Sequence, residues 1–290
     1  NGADDAALDA ALLANAVAGK YVKVVWSRYD EFHAAPMGAA MSTKSRAHLG
    51  PDGLITAFDV EVTSVPHSSR PGTGGTPNLR SAVLIENSKL PAKSPDVPAV
   101  RGGGAERNAV PSYDFGPVRV KKRLVHDLPY RASALRSLGA YNNVIVNEGL
   151  IDEIALNVGE NPLDFRIKHC AEDRSKELLL RLDKETKTYR KKLKESQGWG
   201  VAYARYKGIS GLCAVFVRVT VDEEVSVDHV VSVSDVGEAI SPDGVKNQIE
   251  GGIIQSISWT LKEAVKTDGN SVAVESWFDY PIIKFSEIPT

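Results

Sequence analysis

From Pro66 to Pro117 the chain abandons hydrophobic periodicity: PGTGG stands at 71–75, Pro91, Pro95 and Pro98 follow, and GGG occupies 102–104. An aperiodic stretch of that length is either a disordered linker or a functional loop packed over something else. Patterned segments on both sides favour the second reading, with 102–117 irregular and lying against the rest of the molecule. The core must then be built from the segments before and after this loop.

Those segments read clearly. Residues 4–18 (DDAALDAALLANAVA) carry acids in the first turn and stop at Gly19, which predicts a helix. Tyr21 to Ser27 (YVKVVWS) is β-branched and aromatic and predicts a strand. Pro51-Asp52-Gly53 sits between alternating runs as a hairpin turn, with Leu54 to Val65 as the return strand and a further strand at Val118 to Val125. Asn142 to Val158 is amphipathic: Ile145, Ile151, Ile154, Ala155 and Val158 recur near the 3.6 period, and Gly159 ends the helix. Pro162 opens a short helix to about Cys170. Residues 174–196 predict a mostly solvated helix. Its basic KETKTYRKKLK run is interrupted by acids, which favours a surface helix face over a nucleic-acid patch. Strands are expected around 201–206, 212–221 and 225–234. A last helix starts at Ser241 and Pro242 and covers 242–263, and Trp277 to Phe285 reads as a strand. Helices mixed with strands, without a strict βαβ repeat, predict an α+β (mixed α/β) fold. A division into 1–130, with the long loop at 66–117, and 131–290 is the simplest partition. Asn1 in place of a starting methionine, and a last strand with no cap, suggest a piece truncated at both ends.

Several classes of function lose support. With 35 basic against 37 acidic residues there is no electrostatic case for nucleic acid or an anionic membrane. No apolar run approaches the roughly 20 residues of a bilayer span. Cys170 and Cys213 form no CxxC pair, so neither a disulfide framework nor an iron–sulfur site is suggested. GxxxxGK[ST], GxGxxG between strand and helix, HExxH and GxSxG are absent, and the six histidines do not cluster at metal-ligand spacing.

Two segments are unusual. Ala134 to Tyr141 (ALRSLGAY) leaves a strand and enters a helix, placing backbone N–H groups and the Arg136 guanidinium near a helix N-terminus. That suits an anionic group, or is an ordinary turn with a surface arginine. Gly251-Gly252 lies inside the last helix at a cost of about 1 kcal/mol per glycine relative to alanine. Something must approach that backbone, either another helix or a large ligand. Gln248 and Gln255, seven apart, share one helix face as amide donors and acceptors.

These segments carry a resemblance. RSLGAYNNVIVNEGLIDEIALNVGENPLDFR is similar to the stretch of molybdenum hydroxylases in which an Arg-x-(Phe/Leu)-Gly turn precedes a helix ending in DE-A-x-x-x-G-x-(D/N)-P-(L)-x-x-R. Asp152, Glu153, Ala155, Gly159, Asn161, Pro162, Leu163 and Arg166 match. The segment from Ser232 to Val265 resembles the family's D-x-G…P…Q-x-E-G-G-x-x-Q pattern through Asp235, Gly237, Pro242, Gln248, Glu250, Gly251, Gly252 and Gln255. The WSRYDEF segment, Ser69 to Gly72 and the FDYPIIKFSEIP close are similar to the nicotinate dehydrogenase and isoquinoline oxidoreductase group. The resemblance implies molybdopterin-binding domains of the large subunit of the xanthine dehydrogenase and aldehyde oxidase family. Such a subunit oxidises N-heteroaromatic or aldehyde substrates with water as the oxygen source; the alternative is a non-catalytic scaffold subunit of the same fold. It implies a substrate pocket at Arg136 and Leu138, and cofactor contacts at Gln255, Gly251, Gly252 and Tyr141. His67, Ser69 and Arg70 are weaker candidates for the pocket entrance. The implied cofactor is molybdopterin in its cytosine dinucleotide form with molybdenum. The implied partner is a small [2Fe-2S] subunit. The resemblance implies that the family's G-(Q/T)-G cofactor loop lies upstream of Asn1 and its Gly-Glu general base downstream of Thr290. Compartment stays open between the cytoplasm and attachment to the cytoplasmic membrane through partners.

Overall fold

The computed structural model describes residues 4–68, 79–86, 93–128, 130–269 and 271–290. In chain order its elements are α1 (Asp5–Ala16), α2 (Arg28–Ala34), β1 (Met37–Gly38), β2 (Met41–Leu49), β3 (Ile55–Ser64), α3 (Arg80–Leu84), β4 (Val118–Leu124), β5 (Ala132–Ser133), α4 (Ala140–Asn157), α5 (Pro162–Lys168), α6 (Asp173–Thr186), β6 (Gln197–Arg205), β7 (Leu212–Val221), β8 (Val225–Asp235), α7 (Pro242–Leu261), β9 (Thr267–Asp268) and β10 (Ser271–Val272). Helix and sheet are mixed, as the sequence predicts.

Two three-stranded sheets organise the molecule. In the first, β2 and β3 form the expected hairpin and β4 adds parallel to β3. Alternation along β3 turns Phe58, Val60 and Val62 inward, where they pack with Ile151, Ile154, Ala155 and Phe165. In the second, β6, β7 and β8 form an antiparallel meander. Leu178, Leu179 and Leu182 of α6 pack against Val201, Tyr203, Ala214 and Phe216 on one of its faces. A short parallel pair, β1 with β5, ties Met37 and Gly38 to Ala132 and Ser133.

Segment 102–117 is irregular and packed down, as its composition predicts. Ala105 and Ala109 are fully buried and Phe115 nearly so. A buried loop needs partners for its carbonyls, and α4 supplies them from a polar face. The Asn143 amide donates to the carbonyls of Ala105 (2.8 Å) and Arg107 (2.9 Å), and its Oδ1 accepts from the Thr43 hydroxyl (2.8 Å). Asn147 donates to the Ala109 carbonyl (3.1 Å) and accepts from Ser45 (2.6 Å). Each asparagine thus joins loop, helix and β2. Further along α4, Glu148 (3.0 Å) and Asp152 (2.5 Å) accept from the fully buried Arg166 of α5, which also donates to the Val201 carbonyl (3.0 Å). Glu148 also accepts from the Tyr203 N–H (2.8 Å) and the Tyr113 hydroxyl (3.1 Å). Burial pushes the Glu148 carboxyl up, and the Arg166 guanidinium opposes that.

Four expectations need correction. Residues 21–27 are extended but form no strand: no described strand pairs with them, and Tyr21 and Val25 stay exposed. Ser27 instead caps α2 in a reciprocal box with Asp30. The charged helix ends at Thr186, well short of 196, and buries a leucine face where solvation was expected. Ile145 faces solvent, its expected inward place taken by Asn143 and Asn147. Residues 277–285 form no strand: 277–280 make a turn, 281–284 run without strand pairing, and a short 3-10 turn begins at Phe285. Asp279 draws its chain round by accepting from the Glu275 and Ser276 N–H groups, and Phe32 meets Trp277 edge-on and Tyr280 at a tilt.

Candidate functional site

The segment joining β5 to α4 is the most strained in the described chain. Ser137 (φ 75°) and Leu138 (φ 53°) are consecutive left-handed residues, neither of them glycine. Each costs roughly 1–2 kcal/mol relative to the right-handed form, and such strain concentrates at functional sites. Loop 102–117 holds it in place. The Gly139 N–H donates to the Gly104 carbonyl (3.1 Å). A Cβ on Gly139 would stand 2.3 Å from the Ala105 oxygen, so only glycine fits.

This turn projects Arg136 into the open. Its Nη1 donates to Gln255 Oε1 of α7 at 3.1 Å, across 119 positions of sequence. Its Nη2 lies 3.5 Å from where a Cβ of Gly252 would stand. Among the described residues no carboxylate pairs with Arg136, so a full positive charge meets only a neutral amide. No group of three or more potential metal ligands occurs among the described residues.

Three cavities meet at Arg136. The first, of about 330 Å³, is lined by Leu138, Tyr141, His67, Trp259 and Glu263. Another, of about 710 Å³, lies between α7 and the free face of β7 and β8, walled by Val215, Val217, Val227 and Ile253, with Gln248, Gly252 and Gln255 at its rim. The remaining one, of about 370 Å³, contains Gln248, Gly251, Ile254 and Gln255. Arg136 and Gln255 therefore converge. Leu138 and Tyr141 share a cavity with Arg136, whereas no described cavity contains both Leu138 and Gln255. Tyr141 is fixed by a hydroxyl contact to Thr260 (2.9 Å) and an edge-on contact with Trp259 (5.8 Å).

The glycine pair resolves into two cases. Gly251 is exposed, and a methyl group placed on it would meet nothing within 4 Å, so no neighbouring helix explains it. Gly252 makes room for the Arg136 guanidinium. His67 is buried, 3% exposed, and lines the 330 Å³ cavity; Ser69 and Arg70 lie outside the described residues. Trp259 and Glu263 escaped the sequence reading. Trp259 stands four residues after Gln255, one turn along the same face, and that spacing is the signal that could have found it. Glu263 carries no such signal, because it lies beyond the end of α7, where its carboxylate accepts from the Tyr280 hydroxyl at 2.8 Å. Burial and that carboxylate raise the Tyr280 hydroxyl to about 12.

Residues 166–289 match the model of the molybdopterin cofactor-binding domain. One nicotinate dehydrogenase subunit, from Pseudomonas putida, is 34% identical over 309 residues, an alignment covering 100% of this chain and 24% of that protein. The isoquinoline 1-oxidoreductase beta subunit of Brevundimonas diminuta is 27% identical, covering 98% of this chain and 34% of that one. The chain thus spans about a quarter to a third of the length of these relatives. Among solved structures, quinoline 2-oxidoreductase from Pseudomonas putida 86 superimposes with a TM-score of 0.75 at 12% identity, covering 98% of this chain and 58% of that chain. Aldehyde oxidoreductase from Desulfovibrio gigas does so with a TM-score of 0.64 at 12% identity, covering 87% and 43%. Both structures share the fold.

Proposed function

From the premise that the chain belongs to the molybdopterin-binding large subunits of the molybdenum hydroxylases, we propose that Arg136 marks the border between the cofactor and the substrate of such an enzyme. The observation that carries this is a guanidinium with no described carboxylate partner, held by a strained turn where three cavities join.

The residues present fit part of the cofactor. Open space lies over Gly251, amides of Gln248 and Gln255 line the same stripe of α7, and the Arg136 charge suits an anionic or carbonyl group. On this reading Gln255, Gly251 and Gly252 hold the pterin side, and we extend it to the cytosine dinucleotide form. When bound, the molybdenum centre supplies the oxidation of a carbon with water as the source of oxygen. This chain's part is to bind and orient. Arg136 fixes a substrate carbonyl or carboxylate, Leu138 and Trp259 present flat apolar walls to an N-heteroaromatic ring or an aromatic aldehyde, and Tyr141 closes the cavity toward α7. These residues offer no site for an iron–sulfur cluster, since Cys170 is buried and Cys213 stands apart from it, so electrons would leave through groups outside them. A small [2Fe-2S] subunit is the partner we propose.

The test is made on the assembled enzyme containing this chain, assayed by dye reduction with nicotinate and with an aromatic aldehyde. Arg136→Ala should lower kcat/KM by about 10²–10³ with molybdenum content unchanged. Gly251→Ala should lower the molybdenum content itself. Unchanged turnover and metal in both variants would favour the non-catalytic scaffold reading.

A further inference from the structure

Segment 21–27 (YVKVVWS) has the chemistry of a β-strand and none of a strand's bonds. Val22, Val24 and Val25 are β-branched and Tyr21 and Trp26 aromatic, the residue types that favour a pleated backbone. Exposure alternates along it: Tyr21, Lys23 and Val25 face solvent, while Val22, Val24 and Trp26 are half-buried. That two-residue period marks an extended chain laid with one face on the molecule. Yet no backbone N–H or carbonyl from Tyr21 to Trp26 bonds another described residue. The segment is held at its end and through its neighbours instead. The Trp26 indole donates to Asp9 of α1 at 2.9 Å, and Ser27 closes the reciprocal cap on α2. Arg131 then ties the two helices together, donating to both Asp5 carboxylate oxygens at 2.9 Å and to the Ala34 carbonyl. A strand-like backbone is thus strung between two clamped helices, with its ladder groups unpaired.

Such an edge is a template for another extended chain, which its N–H and carbonyl groups bind by strand addition. The side chains define what fits: a strand with apolar residues beside Val22, Val24 and Trp26, and a carboxylate opposite Lys23 on the exposed face. We propose that residues 21–27 are one strand of a β-sheet completed by a strand of the same large subunit from outside residues 1–290. Two points choose this occupant over a second copy of the chain. Self-pairing over seven residues makes a two-stranded ribbon that is marginal in water, far short of the roughly 1,200–2,000 Å² of a stable interface. A strand tethered in the same polypeptide meets the edge at a high effective concentration, and two relatives, of which this chain spans 24% and 34%, have ample further length to supply one.

The test uses the full-length large subunit in its assembled enzyme. Backbone hydrogen exchange is read residue by residue through mass spectrometry, with Val60 and Val62 of β3 as the paired reference. Exchange should be slowed about a hundredfold or more at alternate amides of residues 21–26, because successive N–H groups of a strand point to opposite edges. In two further samples Lys23 or Val25 is replaced by photoreactive p-benzoyl-phenylalanine. Irradiation should join the probe to a segment of the same subunit outside residues 1–290, mapped by peptide sequencing. Exchange at free-peptide rates throughout 21–26 would overturn the proposal. So would crosslinks that stay within residues 1–290 or reach only a second copy or a different subunit, and so would probes at both positions that link to nothing. Turnover is not among the readouts, so failure here leaves the reading of Arg136 intact, and failure of that reading leaves this strand in place.

Discussion

Gly139 and Gly149 stand ten residues apart and carry opposite expectations. A methyl group on Gly139 meets the Ala105 carbonyl at 2.3 Å, and neither backbone can yield without unseating loop 102–117. Gly139→Ala should cost about 1–3 kcal/mol or more of stability, as overpacked sites do. Gly149 lies on the exposed face of α4 with nothing within 4 Å, so Gly149→Ala should gain about 0.8–1.0 kcal/mol from helix propensity. Urea midpoints of the two variants should move in opposite directions. Asp235 offers a charge counterpart. The Arg174 guanidinium (Nη2 to Oδ1, 2.7 Å) and the Gly237 N–H hold its carboxyl at about 2, below the usual carboxylate range. The folded state thus favours the ionised form. The contribution is complete above about pH 4 and is lost as the pH falls toward 2. With 37% of the side chain exposed the effect is small. It should show as a shallower acid limb of the stability–pH curve in Asp235→Asn than in the unaltered chain.

At the scale of elements, Arg166 is the joint between α4, α5 and β6. Arg166→Ala would strand Glu148 in the core without its countercharge, an error that costs about 3–5 kcal/mol in buried pairs. Denaturant titration should show that loss, and Glu148→Gln in the same background should recover part of it. The helices around this joint were legible because their signals are local: Asn161 caps α5 by accepting from the Leu163 N–H at 2.9 Å, Pro162 follows, and Ser241 caps α7 in the same way. Strand formation was legible only where a partner exists. Residues 21–27 have the composition of a strand, but a strand is defined by its neighbour, and none of the described strands is beside them. The polar face of α4 escaped notice for a similar reason. Asn143 and Asn147 read as surface residues until the loop whose carbonyls they hold is laid against them. Of the site, Arg136 and Gln255 could be named from two glycine-marked segments. His67 could only be suspected, because nothing in the local sequence signals that its side chain is buried beside this turn.

As a whole the molecule has two cores, one under the β2–β3–β4 sheet and one between α6 and the β6–β7–β8 meander, with Tyr113 packed against both. The opposite face of the meander and the apolar side of α7 enclose the 710 Å³ space without filling it. No described helix is long and apolar enough to cross a membrane. On the proposed reading, Arg136, Gly251 and Gln255 would supply one arc of a cofactor cradle, and the chain spans 24% and 34% of two relatives. Purified residues 1–290 alone should therefore carry no molybdenum by elemental analysis and reduce no dye with nicotinate; stoichiometric metal with turnover would show that this arc suffices. The way loop 102–117 is held has a further consequence, for how such a chain can change over generations. Asn143 and Asn147 grip the loop by its carbonyl oxygens, which every amino acid possesses. Constraint is thereby displaced from the held segment onto its holder: positions such as Val110, whose side chain is exposed, can drift in identity without loosening the grip, whereas a single change at either asparagine releases several residues at once.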